Sequence, residues 1–119
     1  MDNKITYAIK ITLCAEHKFF GPGTVTLLKN VDETHSLSAA SKKMSLSYSK
    51  ANAMIKNAAA QLGFKLLSSR TGGAQGGGSD LTEEARRVLQ LYLQFAQDLK
   101  SCGDEQFKVL AAELDKLRS

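Results

Sequence analysis

The stretch from Ser36 to Gly63, SLSAASKKMSLSYSKANAMIKNAAAQLG, constrains this chain more than any other part of it. Leu37, Ala40 and Met44 recur at spacings of three and four, which places them on one face of a short helix. Ser38 is placed to cap that helix, because a serine oxygen accepts an orphan backbone N–H. Met44 and Ser45 form a corner, with Leu46 expected to turn into the core. Ser47 then caps a longer helix that carries Ala51, Met54, Ile55, Ala58 and Leu62 on one side. Gly63 stands where a left-handed helix stop is needed. The other side opens with Tyr48, Ser49, Lys50, Asn52 and Ala53. It is short-chained, polar and basic, and no carboxylate follows before Asp80. Two helices around a tight corner, the second buried on one side only, suit the major groove of DNA.

The charge distribution points the same way. Residues 1–82 hold ten Lys or Arg against five Asp or Glu, and residues 83–119 hold six against seven, so the net +4 belongs to the first part. A basic domain beside a neutral segment is expected to meet a polyanion. With 119 residues and 43% apolar content, the chain has the size and composition of about one globular domain. No apolar run is long enough to span a membrane, and the N-terminus does not read as a secretory signal. The expected location is therefore cytoplasmic, with Cys14 and Cys102 as reduced, buried small hydrophobes.

From Lys4 to Cys14, Ile5, Tyr7, Ile9, Ile11 and Leu13 alternate with other residues, predicting a strand with one buried face. His17 and His35 fall at turn or surface positions without ligand spacing, so no metal site is expected. Gly21, Pro22 and Gly23 end the strand and start a helix with Val25, Leu27, Leu28 and Val31 inward and Asp32, Glu33 and Thr34 at its exposed end. A phosphate cradle of the nucleotide-binding type is not expected at this turn, because no Lys-Ser or Lys-Thr follows in place. Phe64 to Arg70 predicts a strand with Leu66 and Leu67 inward. A glycine-rich run and a short extended segment ending at Leu81 and Thr82 follow. Strand, glycine loop and strand after the second helix make a winged helix-turn-helix. Gly72 and Gly73 at the tip can approach a DNA backbone closely, with Arg70, Thr71 and Gln75 beside them.

Thr82 is placed to cap a long helix, with Glu83 and Glu84 at its positive end. Ala85, Val88, Leu89, Tyr92, Phe95, Ala96 and Leu99 form an apolar stripe that Leu91 widens. Ser101, Cys102 and Gly103 predict a break, with Asp104 capping a further helix lined by Phe107, Leu110, Ala111, Leu114 and Leu117. These helices pack either on each other and the first strand, or on a second copy of the chain. The second arrangement is favoured, with Val88, Leu89, Leu91, Tyr92, Phe95 and Leu99 as its interface.

No nucleophile has a visible base, and the adjacent Glu83 and Glu84 point about 100° apart on a helix, so no enzyme is expected. For DNA contact the candidates are Ser47, Tyr48, Ser49, Lys50, Asn52 and Ala53. Lys42 and Lys43 stand where the DNA backbone would pass. The serines and lysines suit phosphates, Asn52 suits adenine, and Ala53 suits a thymine methyl.

Phe19 to Thr82 resembles the N-terminal DNA-binding domain of the molybdate-responsive transcriptional regulators of the ModE type, within the wider LysR-like winged-helix group. The resemblance is carried by the GPG before the first helix, DETHSLSAASKKM, MSLSYSKA, LGFKLLSSR and the GGAQGGGSDLT wing. It implies an N-terminal strand, recognition through the helix starting at Ser47, and a homodimer joined through the helix after the wing. The family pattern has a pair of arginines where this chain has Ser49 and Lys50. The chain has only helix after Gly103 where full regulators carry oxyanion-binding domains, so no molybdate and no other cofactor is expected.

The expected fold is α+β, mainly α: a winged helix-turn-helix over residues 1–82 and dimerisation helices over 83–119. The expected function is a homodimeric, sequence-specific regulator that binds double-stranded DNA and no membrane. The alternative is a winged-helix module that binds another protein and not DNA.

Overall fold

The computed structural model describes residues 4–69 and 78–119. Strands β1 (Leu13–Cys14) and β2 (Lys18–Phe20) form a small antiparallel hairpin. Helices α1 (Pro22–Thr34), α2 (Leu37–Lys43) and α3 (Tyr48–Leu62) follow. Strands β3 (Leu67–Ser69) and β4 (Ser79–Leu81) form the second antiparallel hairpin, and α4 (Glu83–Arg118) closes the chain.

Helix α1 starts on Pro22, whose fixed φ matches the first helical turn. It ends at His35, which takes a left-handed φ of 57° and donates its N–H to the Val31 carbonyl. Ser36 caps α2 by accepting the Ala39 N–H at 3.0 Å. The expected cap, Ser38, lies inside the first turn, and its carbonyl accepts the Ser41 hydroxyl at 2.8 Å. Ser36 wins because its backbone is extended, as a cap requires. The corner closes through Met44, Ser45 and Leu46, with Ser45 at a left-handed φ of 56°. The Leu46 N–H reaches back to the Ser41 carbonyl at 2.9 Å. Leu46 itself is half-buried and lies outside the core cluster. Ser47 caps α3 through the Lys50 N–H at 3.0 Å, and Gly63, at φ 89°, stops it.

The core lies where the three helices meet. Leu27, Leu28 and Val31 of α1 pack with Leu37 of α2 and Ile55 of α3. Ala40, Ala51 and Ala58 are fully buried, and their small side chains let α2 and α3 approach closely. Leu66 and Leu81 from the second hairpin and Ala85, Leu89 and Tyr92 from α4 complete it. The core therefore continues beyond residue 82 into the first turns of the long helix. Thr82 is the junction. Its hydroxyl donates to the Lys65 carbonyl at 2.7 Å and accepts the Ala85 N–H at 3.0 Å.

Three expectations are corrected here. The N-terminal alternation does not build a long strand. Only Leu13 and Cys14 pair with β2, and Ile5 and Ile9 are 43% and 48% exposed. Tyr7 and Ile11 instead tie the segment antiparallel along α4. The Tyr92 hydroxyl donates to the Ile11 carbonyl at 2.8 Å, and the Tyr7 ring lies 5.0 Å from that of Phe107. The break at Ser101–Gly103 is also absent, and α4 runs through without interruption. Gly103 is there because Tyr7 needs the space: a Cβ would sit 2.6 Å from the Tyr7 hydroxyl. Asp104 accepts that hydroxyl rather than capping a helix. Finally, Cys14 and Cys102 are free and exposed, not buried.

Candidate nucleic-acid interface

The capped start of α3 stands out from the body of the molecule. Its apolar side is spent on the core: Ala51, Ile55 and Ala58 are buried. Helical geometry then turns Ser49, Ala53, Lys56 and Asn57 outward, with Lys50 on one flank, and all five are exposed. Tyr48, at 56% exposure, projects from the N-terminus. Asn52 sits at the edge of this face and is half-buried. Ser47 already uses its oxygen as the cap, leaving its O–H free to donate outward. Lys42, Lys50 and Lys56 form no ion pair among the described residues, and Lys43 lies 3.5 Å from Glu33 in an exposed pair. Such a pair is weak and gives way readily to a phosphate.

Lys56 and Asn57 are members of this face that the motif at Ser47–Ala53 did not include. Continuing the same helical spacing from Ser49 and Ala53 would have found both.

Behind this face the second hairpin is anchored at its base. Leu67 pairs with Leu81, Ser68 with Asp80 and Ser69 with Ser79. The Ser79 N–H donates to the His35 carbonyl at 2.9 Å, and the His35 imidazole meets Asp80 at 2.7 Å. Thus the end of α1 holds β4, the second strand of that hairpin. The expected tip residues Arg70, Thr71, Gly72, Gly73 and Gln75 lie outside the described residues.

The six residues expected at the dimer interface divide into two groups. Leu89 and Tyr92 are buried in this chain's own core, with the Tyr92 ring 5.4 Å from Phe20, and Val88 is half-buried against it. Leu89 and Tyr92 therefore serve this chain's own core. Leu91, Phe95 and Leu99 face away from the core, exposed at 53%, 49% and 37%. Farther along, Val109, Leu110 and Leu117 are also exposed.

Three core helices, a corner before α3 and a hairpin after it define a winged helix-turn-helix protein. This chain belongs to the lysR family of bacterial regulatory helix-turn-helix proteins, whose pattern it matches over residues 24–86. It is 38% identical over 91 residues to the DNA-binding transcriptional dual regulator ModE of Escherichia coli K12, covering 75% of this chain and 34% of that protein. It is likewise 38% identical over 74 residues to the transcriptional regulator ModE of Haemophilus influenzae, covering 62% of this chain and 29% of that one. The chain therefore spans about a third of the length of these relatives. The crystal structure of the CbnR_DBD-DNA complex shares the fold, with a TM-score of 0.52 at 20% identity, covering 71% of this chain and 91% of that one. Among the described residues no helix is long and apolar enough to cross a membrane, and no group of His, Cys, Asp or Glu is arranged to hold a metal.

Proposed function

We propose that this chain is the DNA-reading part of a homodimeric transcriptional regulator, working in the cytoplasm and without catalysis of its own. The outward face of α3 carries the proposal. It is rigidly capped, exposed, cationic at Lys50 and Lys56, and free of carboxylates. Laid in a major groove, Ser47, Tyr48, Ser49 and Lys50 meet phosphates, while Ala53 and the edge residue Asn52 reach base edges. Lys42 and Lys43, at the end of α2, flank the backbone, and Arg70, Thr71, Gly72, Gly73 and Gln75 of the wing extend the contact. Family membership and the similarity to ModE regulators support the same function.

The homodimer is supported by Leu91, Phe95 and Leu99, an apolar strip that this chain leaves uncovered. Selection of bound sequences from a random duplex pool tests both halves. Two symmetric half-sites about one helical turn apart are expected. An unordered collection of sequences would defeat the reading. No tight molybdate site is proposed within residues 4–119, and strong molybdate uptake in equilibrium dialysis would overturn that.

The same exposed strip also favours a second function, docking to another protein without DNA. A salt series separates the two. DNA binding through phosphates weakens steeply as salt rises, whereas an apolar protein contact does not.

A further inference from the structure

On α3 every fourth residue returns to nearly the same side, so Ser49, Ala53 and Asn57 fall in one line. All three are exposed, and none carries a charge. At about 100° per residue, Lys50 stands about 60° to one side of Ala53 and Lys56 about 60° to the other. Neither lysine has an ion-pair partner among the described residues. A line of uncharged side chains thus runs between two free cations. A major groove has the matching layout, with base edges between two phosphate backbones. From Ser49 to Asn57 the helix rises about 12 Å, the length of three to four base-pair steps.

Asn57 carries the one carboxamide in that line. It stands in the third turn of α3, where asparagine is a poor helix former because its side chain competes for backbone hydrogen bonds. Nothing within the chain offsets this, since its amide forms no hydrogen bond among the described residues. Asn52 differs in placement: it lies about 100° off Ala53 around the helix and is half-buried.

We propose that Asn57 is a specificity-determining residue that reads an adenine in the major groove. Its amide N–H donates to the adenine N7, and its amide oxygen accepts from the N6 amino group. The inference rests on the DNA-binding function. Between Asn52 and Asn57 the helix rises about 7.5 Å, so the base pair read by Asn57 is about two steps from any that Asn52 contacts.

The test selects bound sequences from a random duplex pool with wild type, Asn57→Ala and Asn57→Asp, each checked for folding by circular dichroism. The site is exposed and alanine is the better helix former, so Asn57→Ala keeps the helix. It should lose about tenfold or more in affinity for the wild-type sequence and lose the adenine preference at one base pair, with the other positions unmoved. Asn57→Asp keeps the size but not the N–H donor. It should bind more weakly overall and move the preference at that pair towards cytosine, whose amino group donates to a carboxylate. A structural or phosphate-only role would weaken all sequences alike and move no preference. That result, or an unchanged selection by Asn57→Ala, would overturn the assignment and leave DNA binding by α3 standing. If wild type itself selects no sequence, the DNA-binding function falls and the assignment falls with it.

Discussion

Helices α3 and α4 are both amphipathic, but they leave opposite things uncovered. The core takes the whole apolar side of α3, and what remains outside is Ser49, Lys50, Ala53 and Lys56. The core takes Ala85, Leu89 and Tyr92 from the first turns of α4, and what remains outside is Leu91, Phe95, Leu99, Val109, Leu110 and Leu117. A polar cationic remainder suits a polyanion, and an apolar remainder suits protein. Under the proposed function, one short chain thus separates a reading surface from an assembly surface by how much of each helix its core consumes.

The largest effect expected from this contrast is at the shared core. Leu28→Ala should cost about 2–5 kcal/mol in urea unfolding, because a fully buried leucine leaves a cavity between α1 and its neighbours. Leu117→Ala, at an 82% exposed site, should stay within about 0.5 kcal/mol. Equal costs would erase the distinction between the two ends of the molecule.

Next comes the assembly surface. Phe95→Asp should leave the monomer folded and weaken self-association by about 2 kcal/mol or more, roughly thirtyfold in Kd, by sedimentation. An unchanged dimer would take this strip out of the interface. On the reading surface, Lys50→Ala should reduce the salt slope of DNA binding by about one without altering sequence preference. Asn52→Ala should cost about 1–3 kcal/mol at one base pair and relax preference there. An unchanged preference would mean that the half-buried Asn52 only supports the helix.

The smallest effects concern the clasp between the N-terminal segment and α4. Gly103→Ala improves helix propensity by about 1 kcal/mol but fills the space under Tyr7. Stability should change little while amides of residues 4–12 exchange faster. Slower exchange there would show that the glycine is not a socket. The Tyr7 hydroxyl donates to Asp104, and this bond pushes the phenol pKa up to about 12 and pulls the Asp104 carboxyl below its usual range. The raised phenol contributes stability below its unfolded pKa of about 10, lost as pH climbs towards 12. The depressed carboxyl contributes stability above its unfolded pKa of about 4, lost as pH falls through its lower folded value. Protection of residues 4–12 should therefore be flat between these limits and fall outside them, and Tyr7→Phe should lose the dependence at the alkaline end.

These contrasts also explain what could be read before any coordinates. Ser47 and Gly63 bracket α3 legibly because capping and left-handed stops are local chemistry. The cap of α2 was displaced by two residues because Ser36 and Ser38 are chemically alike and only the backbone chooses between them. The period-two run from Ile5 to Leu13 reads as one strand, but only its end at Leu13 pairs in a sheet, while Tyr7 and Ile11 lie along a helix. Gly103 reads as a helix breaker from its own propensity, whereas its reason lies in Tyr7, far away in sequence.

The most direct test of the division between the two helices is a duplex titration followed by amide shifts. Shifts concentrated at Ser47–Lys56, with Leu91, Phe95 and Leu99 unmoved, are expected. Shifts that instead follow the exposed strip of α4 and leave the start of α3 silent would contradict it.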